Sequence, residues 1–177
     1  MSLLAQVARI LRTAEIPFAL IGASAMAAHG VGRSTLDQDL LVVDPACLRP
    51  ELWASLEDAE ARFEIQKGDV LDPLAGVVRF SLASERPVDL VIGKFAWQRQ
   101  VIARALETPD APDEDIPVVR AADLVLLKLY AGGPQDAWDI QQLLAAEDKG
   151  PLIAEVDRLL PELPAESAAL WRKILEA

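Results

Sequence analysis

The sequence predicts an α+β fold, in which a sheet of about five strands is flanked by helices and followed by a helical C-terminal lobe. Short apolar or alternating runs bounded by Gly, Pro and Asp fill much of the first half of the chain. From Lys94 onward, apolar residues instead recur with the period of a helix. The 52% hydrophobic content of the 177 residues is ample for a folded core.

These patterns place each element along the chain. The expected strands cover residues 16–21, 38–43, 63–66, 77–82 and 88–92. The expected helices cover residues 2–14, 25–28, 48–61, 95–106, 121–131, 134–146, 151–160 and 166–175. In the short second helix, Ser24 is expected to form the N-terminal cap, and Gly30 is expected to end the helix in a left-handed conformation.

The chain is expected to divide into three parts. Residues 1–107 form a core, residues 108–117 a linker, and residues 118–177 a helical lobe packed on that core. The linker prediction rests on the three prolines and four acidic residues in residues 108–117.

The composition excludes several classes of protein. Cys47 is the single cysteine and His29 the single histidine, which excludes an intramolecular disulfide and a Cys/His zinc site and predicts a cytoplasmic location. No run of about 18 or more apolar residues occurs, so no membrane span is expected. The net charge of −11 works against diffuse binding to nucleic acid, although a local basic patch remains compatible with it.

Asp37 and Asp39 are the first candidates for chemistry. Because side chains alternate along a strand, residues two apart project from the same face. Two close carboxylates repel each other unless a cation lies between them, and oxygen ligands of this kind suit Mg²⁺. The alternative is an ordinary pair of acids on an exposed edge or loop, which the spacing alone does not exclude.

Asp89 is the third acidic candidate, because it interrupts an otherwise apolar strand over residues 88–92. A buried carboxylate needs a partner, and a metal shared with Asp37 and Asp39 would supply one. The alternatives are a place on the open face of an edge strand, or an ion pair with Arg86.

The turn formed by Gly22, Ala23 and Ser24 precedes the short helix. Its backbone N–H groups and the Ser24 hydroxyl could bind a phosphate at the start of that helix. Taken alone, an ordinary helix cap is the better interpretation of a glycine followed by a serine.

Several other residues have two interpretations each. Lys128 could reach a triphosphate, or send its ammonium to solvent past an apolar stem. Asp136 and Asp139 share a helical face and suit capping at least as well as catalysis. Arg33 could bind phosphate or brace its loop, and His29 is interpreted as a helix-end residue rather than a general base. The tryptophans are interpreted as packing residues: Trp53, Trp97, Trp138 and Trp171.

Residues 20–43, LIGASAMAAHGVGRSTLDQDLLVV, resemble the signature of nucleotidyltransferases of the DNA polymerase β superfamily. That signature is a glycine turn, a short helix, D-x-D on a strand and a third acid on a later strand. Further likeness, at Ala25, His29-Gly30, Arg33, Thr35 and residues 40–43, is to the minimal nucleotidyltransferases of bacteria and archaea, including the AbiEii-like toxin group. Residues 122–144 resemble the helical segment of the same group, so the matches extend from residue 16 to about residue 145.

The resemblance implies a nucleotidyltransferase fold with a mixed sheet, two Mg²⁺ ions held by Asp37, Asp39 and Asp89, and a nucleoside triphosphate as substrate. Asp89 would activate a hydroxyl acceptor for attack on the α-phosphorus. The acceptor would be an RNA end, a protein or a small molecule, and a toxin-like role would imply an antitoxin partner. The implied nucleotide-binding residues are Gly22, Ala23, Ser24, Arg33 and Lys128.

The sequence departs from the family pattern at three places. Ala23 stands where glycine or serine is usual, Gln38 lies between the two acids where an apolar residue is usual, and Gly132-Gly133 replaces a common arginine. Ala23 and Gln38 motivate an alternative hypothesis, a catalytically silent module of the same fold that binds a nucleotide or a protein. A third alternative is a helical interaction protein whose acids are surface groups.

Overall fold

The computed structural model describes residues 1–32, 37–57, 60–106 and 116–176. In this part of the chain, five strands form one sheet: β1 (Phe18–Ile21), β2 (Gln38–Val42), β3 (Arg62–Lys67), β4 (Gly76–Ser81) and β5 (Val88–Ile92). Their spatial order is β1-β2-β5-β4-β3. Strands β2 and β5 are parallel and the other neighbours are antiparallel, which confirms the predicted mixed sheet.

Eight α-helices accompany the sheet in the described residues. They are α1 (Leu3–Thr13), α2 (Gly22–Ala28), α3 (Ala54–Glu57), α4 (Ala96–Ala103), α5 (Ala121–Ala131), α6 (Pro134–Ala146), α7 (Lys149–Leu159) and α8 (Ala165–Glu176). Short 3₁₀ turns cover Pro45–Leu48, Pro50–Trp53 and Leu160–Glu162. Helices α5 and α6 and strand β5 have the predicted bounds.

Hydrophobic residues bury one face of the sheet and the β1, β2 and β5 part of the other face. On one face, Leu40 and Leu90 pack with α1 and with the turns that contain Cys47 and Trp53. On the other face, Ala19 and Leu41 belong to a cluster with residues of α2, α4 and the helices α5 to α8. The alternation of side chains therefore directs β1, β2 and β5 into both cores, whereas β3 and β4 contribute to the first core alone.

The predicted helix over residues 48–61 is wrong. Two successive 3₁₀ turns begin at Pro45 and Pro50, and within the described part of this segment, which lacks residues 58 and 59, only Ala54–Glu57 is α-helical. Proline lacks an N–H and fits only the first turn of a helix, so each proline starts a new short turn. The buried Trp53 indole donates a hydrogen bond of 2.9 Å to the Cys47 carbonyl and ties the two turns together.

The predicted cap of α2 is also wrong, whereas its predicted end is confirmed. Ile21 precedes the helix, no side chain caps it, and Ser24 lies within the first turn. Gly22, with a φ of 62°, makes the sharp change of direction itself, so the helix starts two residues before Ser24. At the other end, His29 is the C-cap and Gly30 has a φ of 77°.

The C-terminal helices connect to the sheet through the edge strand β1. Residues 107–115, most of the predicted linker, lie outside the described residues, and the division into three parts stays a prediction. After them, Ile116 is buried, and Leu20 donates a hydrogen bond of 2.7 Å to the Pro117 carbonyl. No helix of the described residues is both long enough and apolar enough to cross a membrane.

Candidate active site

One row of residues in register crosses all five strands. Ile21 on β1 is opposite Asp39 on β2, and Asp39 is opposite Asp89 on β5. Asp89 is in turn opposite Arg79 on β4, and Arg79 is opposite Glu64 on β3. Because residues directly opposite each other share a face of a sheet, the charged side chains of this row project together. Two acids predicted from separate segments are thus neighbours on adjacent strands.

Arg79 joins two of the predicted acids. Its Nη1 donates a hydrogen bond of 2.9 Å to Asp89 Oδ2, and its Nη2 donates one of 3.1 Å to Asp37 Oδ2. The Arg79 side chain is 48% exposed, Asp37 34% and Asp89 18%, so these ion pairs lie partly in contact with solvent. Asp37 and Asp89 therefore bind neighbouring nitrogens of one guanidinium, and Asp89 pairs with Arg79 rather than with Arg86.

Asp89 has one oxygen that the protein does not satisfy. Its Oδ1 is buried and has no hydrogen-bond partner among the described residues. Burial raises the pKa of Asp89; Arg79 acts in the lowering direction, and the charge of Asp37 adds to the increase. A buried acceptor of this kind suits a ligand that brings a cation or a proton to it.

Gly22 brings the chain directly against Asp39. Its φ of 62° favours glycine, and a Cβ added there would overlap the Asp39 carboxylate. The turn from β1 into α2 is therefore in close contact with Asp39 on β2.

Gly22→Ala is expected to lower the free energy of unfolding by about 1–2 kcal/mol more than Gly30→Ala does. Both glycines have a positive φ, but no atom of the described residues lies within 4 Å of a Cβ added at Gly30. The difference between the variants therefore isolates the contact with Asp39. Denaturant unfolding measures both losses, and equal losses would contradict the close approach of Gly22 to Asp39.

Gln38 faces away from the acids. It is the first residue of β2 and lies opposite the buried Val88, on the face that carries Leu40 and Val42. The Gln38 side chain is only half-buried at this end of the sheet. Its polar group therefore does not enter the space between Asp39 and Asp89.

The predicted nucleotide-binding residues have different surroundings. Ala23 is buried and Ser24 half-buried in the first turn of α2, next to Gly22. Lys128 Nζ donates a hydrogen bond of 2.5 Å to Asp139 Oδ2 and one of 3.4 Å to Asp136 Oδ1. The Lys128 side chain is 8% exposed, so its ammonium lies between α5 and α6 and does not extend into solvent. Arg33 lies outside the described residues.

The predicted capping role of Asp136 agrees with its contacts. Its Oδ2 accepts a hydrogen bond of 3.1 Å from the Gly133 N–H at the start of α6. His29, at the end of α2, contacts the Val119 carbonyl at 2.8 Å through Nε2 and Glu147 Oε1 at 3.1 Å through Nδ1. His29 therefore connects the end of α2 to residues that lie 90 and 118 positions later in the chain.

A divalent cation fits part of the predicted ligand set. Among the described residues, no three His, Cys, Asp or Glu side chains are gathered closely enough to hold a metal ion. Arg79 binds both Asp37 and Asp89, so two of the three predicted ligands are paired with a guanidinium in this structure. Asp39 and Asp89 lie on adjacent strands, about 4.8 Å apart by ordinary sheet spacing, and Asp89 keeps a buried oxygen without a partner. This pair fits a cation.

The acids lie where the covered half of the sheet meets its open half. On the covered side, a cavity of about 230 Å³ is lined by Ile21, Leu41 and Val91 of the sheet and by Leu127 and Tyr130 of α5. On the open side, the exposed Glu64 and Ser81 line a depression of about 960 Å³. Asp37, Asp39 and Asp89 line neither of these two spaces.

Comparisons with solved structures identify the fold. The chain superposes on the antibiotic-resistance factor ANT(2'')-Ia in solution with a TM-score of 0.54 at 15% identity, covering 98% of this chain and 96% of that one. The chain has a nucleotidyltransferase fold. A crystal structure of ANT(2'')-Ia with adenylyl-2''-tobramycin gives a TM-score of 0.55 at 15% identity, with 90% and 95% of the two chains covered.

A third structure with this fold is an antigenic nucleotidyltransferase-like protein from Paracoccidioides brasiliensis. It matches with a TM-score of 0.51 at 17% identity, covering 94% of this chain and 89% of that one. No protein-family model and no curated protein matches the sequence. The nucleotidyltransferase fold predicted from residues 20–43 is confirmed, whereas membership of the AbiEii-like group stays a prediction.

Arg79 is the residue of this site that the sequence interpretation missed. The predicted strand over residues 77–82 already contained the signal, because Arg79 is a charged residue between the apolar Val78 and Phe80. Alternation places it on the face opposite to theirs. Which strand lies beside β4 was not predictable from that pattern, so its pairing with Asp89 was not either.

Proposed function

We propose that the chain is a Mg²⁺-dependent nucleotidyltransferase that moves a nucleoside monophosphate from a nucleoside triphosphate to a hydroxyl acceptor. The observation that carries this proposal is the paired position of Asp39 and Asp89, with the Gly22 turn packed against the Asp39 carboxylate. The fold shared with ANT(2'')-Ia supports it further.

Each part of the site has a role in this proposal. Divalent cations on the acids, when bound, would neutralise phosphate charge and lower the pKa of the acceptor hydroxyl. Asp37, Asp39 and Asp89 would hold them, and the turn at Gly22, Ala23 and Ser24 would bind the triphosphate. Asp89 takes up the hydroxyl proton at Oδ1, for which its raised pKa suits it. The acceptor oxygen bonds to the α-phosphorus and pyrophosphate leaves.

The acceptor that fits best is a small hydroxylated compound. The net charge of −11 works against an RNA end as acceptor and against a tRNA-directed toxin role with an antitoxin. The adenylyl-2''-tobramycin bound by ANT(2'')-Ia is an adenylylated small molecule, which favours ATP as the first donor to test.

Of the two residues that motivated the hypothesis of a catalytically silent module, Ala23 and Gln38, one does not affect the acids. Gln38 lies on the face opposite to the acids and does not obstruct them. Ala23 still replaces the more usual residue of the turn, and its small buried side chain is compatible with a close approach to phosphate.

A transfer assay tests the proposed function. The protein is incubated with Mg²⁺ and each of the four α-³²P-labelled triphosphates, and with separate pools of small hydroxylated compounds, total tRNA and protein. We expect labelled product in the small-molecule pool. Absence of any labelled product, together with absence of Mg²⁺-dependent nucleotide binding in calorimetry, would exclude the enzyme.

A further inference from the structure

Arg79 already supplies a positive charge to the acids of the site. Its guanidinium binds Oδ2 of both Asp37 and Asp89, at 3.1 Å and 2.9 Å. A planar fork of this kind can bridge two carboxylates at once, which an ammonium group cannot do with the same geometry. In this structure the repulsion between the two acids is therefore balanced by a side chain of the protein itself.

A divalent cation and Arg79 cannot use these oxygens together. Both are cations, so their charges repel, and a carboxylate oxygen held by the guanidinium is not available to Mg²⁺ with its near-octahedral demands. The Arg79 side chain is 48% exposed and extends from the open half of the sheet. It can therefore leave the acids without disturbing a buried core.

We propose that Arg79 occupies part of the cation site in the resting protein, so that a divalent cation held by Asp39 can also use Oδ2 of Asp37 and Asp89 only by displacing the guanidinium. This inference rests on the proposed function, because it takes these acids as the cation ligands. The consequence is that Arg79 lowers the affinity of the site for cations and restrains Asp37 and Asp89 until one binds.

Binding of Mn²⁺ alone, followed by electron paramagnetic resonance of the free ion, tests this competition in the full chain without a substrate. We expect Arg79→Gln to bind Mn²⁺ about tenfold more tightly than the unmodified protein, because two partly exposed ion pairs no longer compete. Arg79→Lys should fall between the two, because lysine keeps the charge but loses the fork. Arg172→Gln, which removes an exposed arginine on α8, is the charge control and should leave the affinity unchanged.

Unchanged or weaker Mn²⁺ binding by Arg79→Gln would have the opposite meaning. If Arg79 instead holds the acids in the shape that a cation needs, Arg79→Gln will bind Mn²⁺ as weakly as the unmodified protein or more weakly, which overturns the inference. Asp39→Asn in the Arg79→Gln background should abolish the tight binding, which locates the ion. Thermal unfolding of each variant verifies that it is folded.

These outcomes separate the inference from the proposed function. If the unmodified protein binds Mn²⁺ as tightly as Arg79→Gln and the ion depends on Asp39, only the role of Arg79 is overturned. If neither protein binds Mn²⁺ at any accessible concentration, the cation site itself is wrong, and both the inference and the metal-dependent function are overturned.

Discussion

Asp89→Asn should lower the rate of nucleotidyl transfer about 1,000-fold and at the same time stabilise the protein at neutral pH. The rate falls because the variant loses the group that accepts the hydroxyl proton and contacts the cation. The free energy of unfolding rises by about 1 kcal/mol, because a buried carboxylate oxygen without a partner is no longer charged. Loss of the partly exposed ion pair with Arg79 offsets only part of this gain.

The stabilisation should depend on pH in a defined direction. Burial raises the pKa of Asp89 in the folded protein. A carboxyl with a raised pKa stabilises the fold while it is protonated, below its unfolded pKa of about 3.9, and this contribution is lost as pH rises through the folded pKa. The gain in the free energy of unfolding on Asp89→Asn should therefore be small near pH 4 and should grow as the pH rises.

Initial rates of label transfer and denaturant unfolding at acidic and neutral pH measure the two effects. Glu166→Gln, which removes an exposed acid on α8, is the control and should change neither. A variant that is inactive but also clearly less stable at neutral pH would indicate that Asp89 is a structural residue.

Lys128→Met should destabilise the protein by about 3–5 kcal/mol. The loss follows because Asp139, whose side chain is fully buried, would keep a negative charge without its ammonium partner. The double variant Lys128→Met/Asp139→Asn should recover most of this loss, because the remaining charge is removed as well.

Urea unfolding measures these changes, with Lys173→Met on the exposed side of α8 as a control expected to lie within about 0.5 kcal/mol of the unmodified protein. The double variant also tests the predicted nucleotide contact of Lys128. Unchanged triphosphate affinity in the double variant would assign Lys128 a structural role. If Lys128→Met is fully stable but loses triphosphate affinity, the buried pair with Asp139 is not what holds α5 and α6 together.

The strands and the longer helices could be predicted because their patterns are local. Residues 88–92, 121–131 and 134–146 have the apolar period, the flanking Gly or Pro and the length of a single element, and each has the predicted bounds. Residues 48–61 do not form the single helix that their apolar period predicts. The reason is that one 3₁₀ turn begins at Pro45 and a second begins at Pro50.

Packing between distant segments was harder to predict. Trp53, Trp97 and Trp171 are buried as expected, but the prediction for Trp138 is wrong, since its side chain is 47% exposed on α6. Helical periodicity does not reveal which side of a helix another element covers. For the same reason the sequence indicated the acids of the candidate site, but not the arginine that pairs with them from β4.

In the proposed enzyme, Asp39 and Asp89, with the Gly22 turn, form a site for a cation and a triphosphate. Diffraction from crystals soaked with Mn²⁺ and α,β-methylene-ATP, recorded for the anomalous signal of manganese, tests it most directly. We expect manganese bound to the carboxylates of Asp39 and Asp89, phosphates against residues 22–24, and the Arg79 guanidinium displaced from the acids. Manganese and nucleotide bound elsewhere, with Arg79 still bridging Asp37 and Asp89, would contradict it.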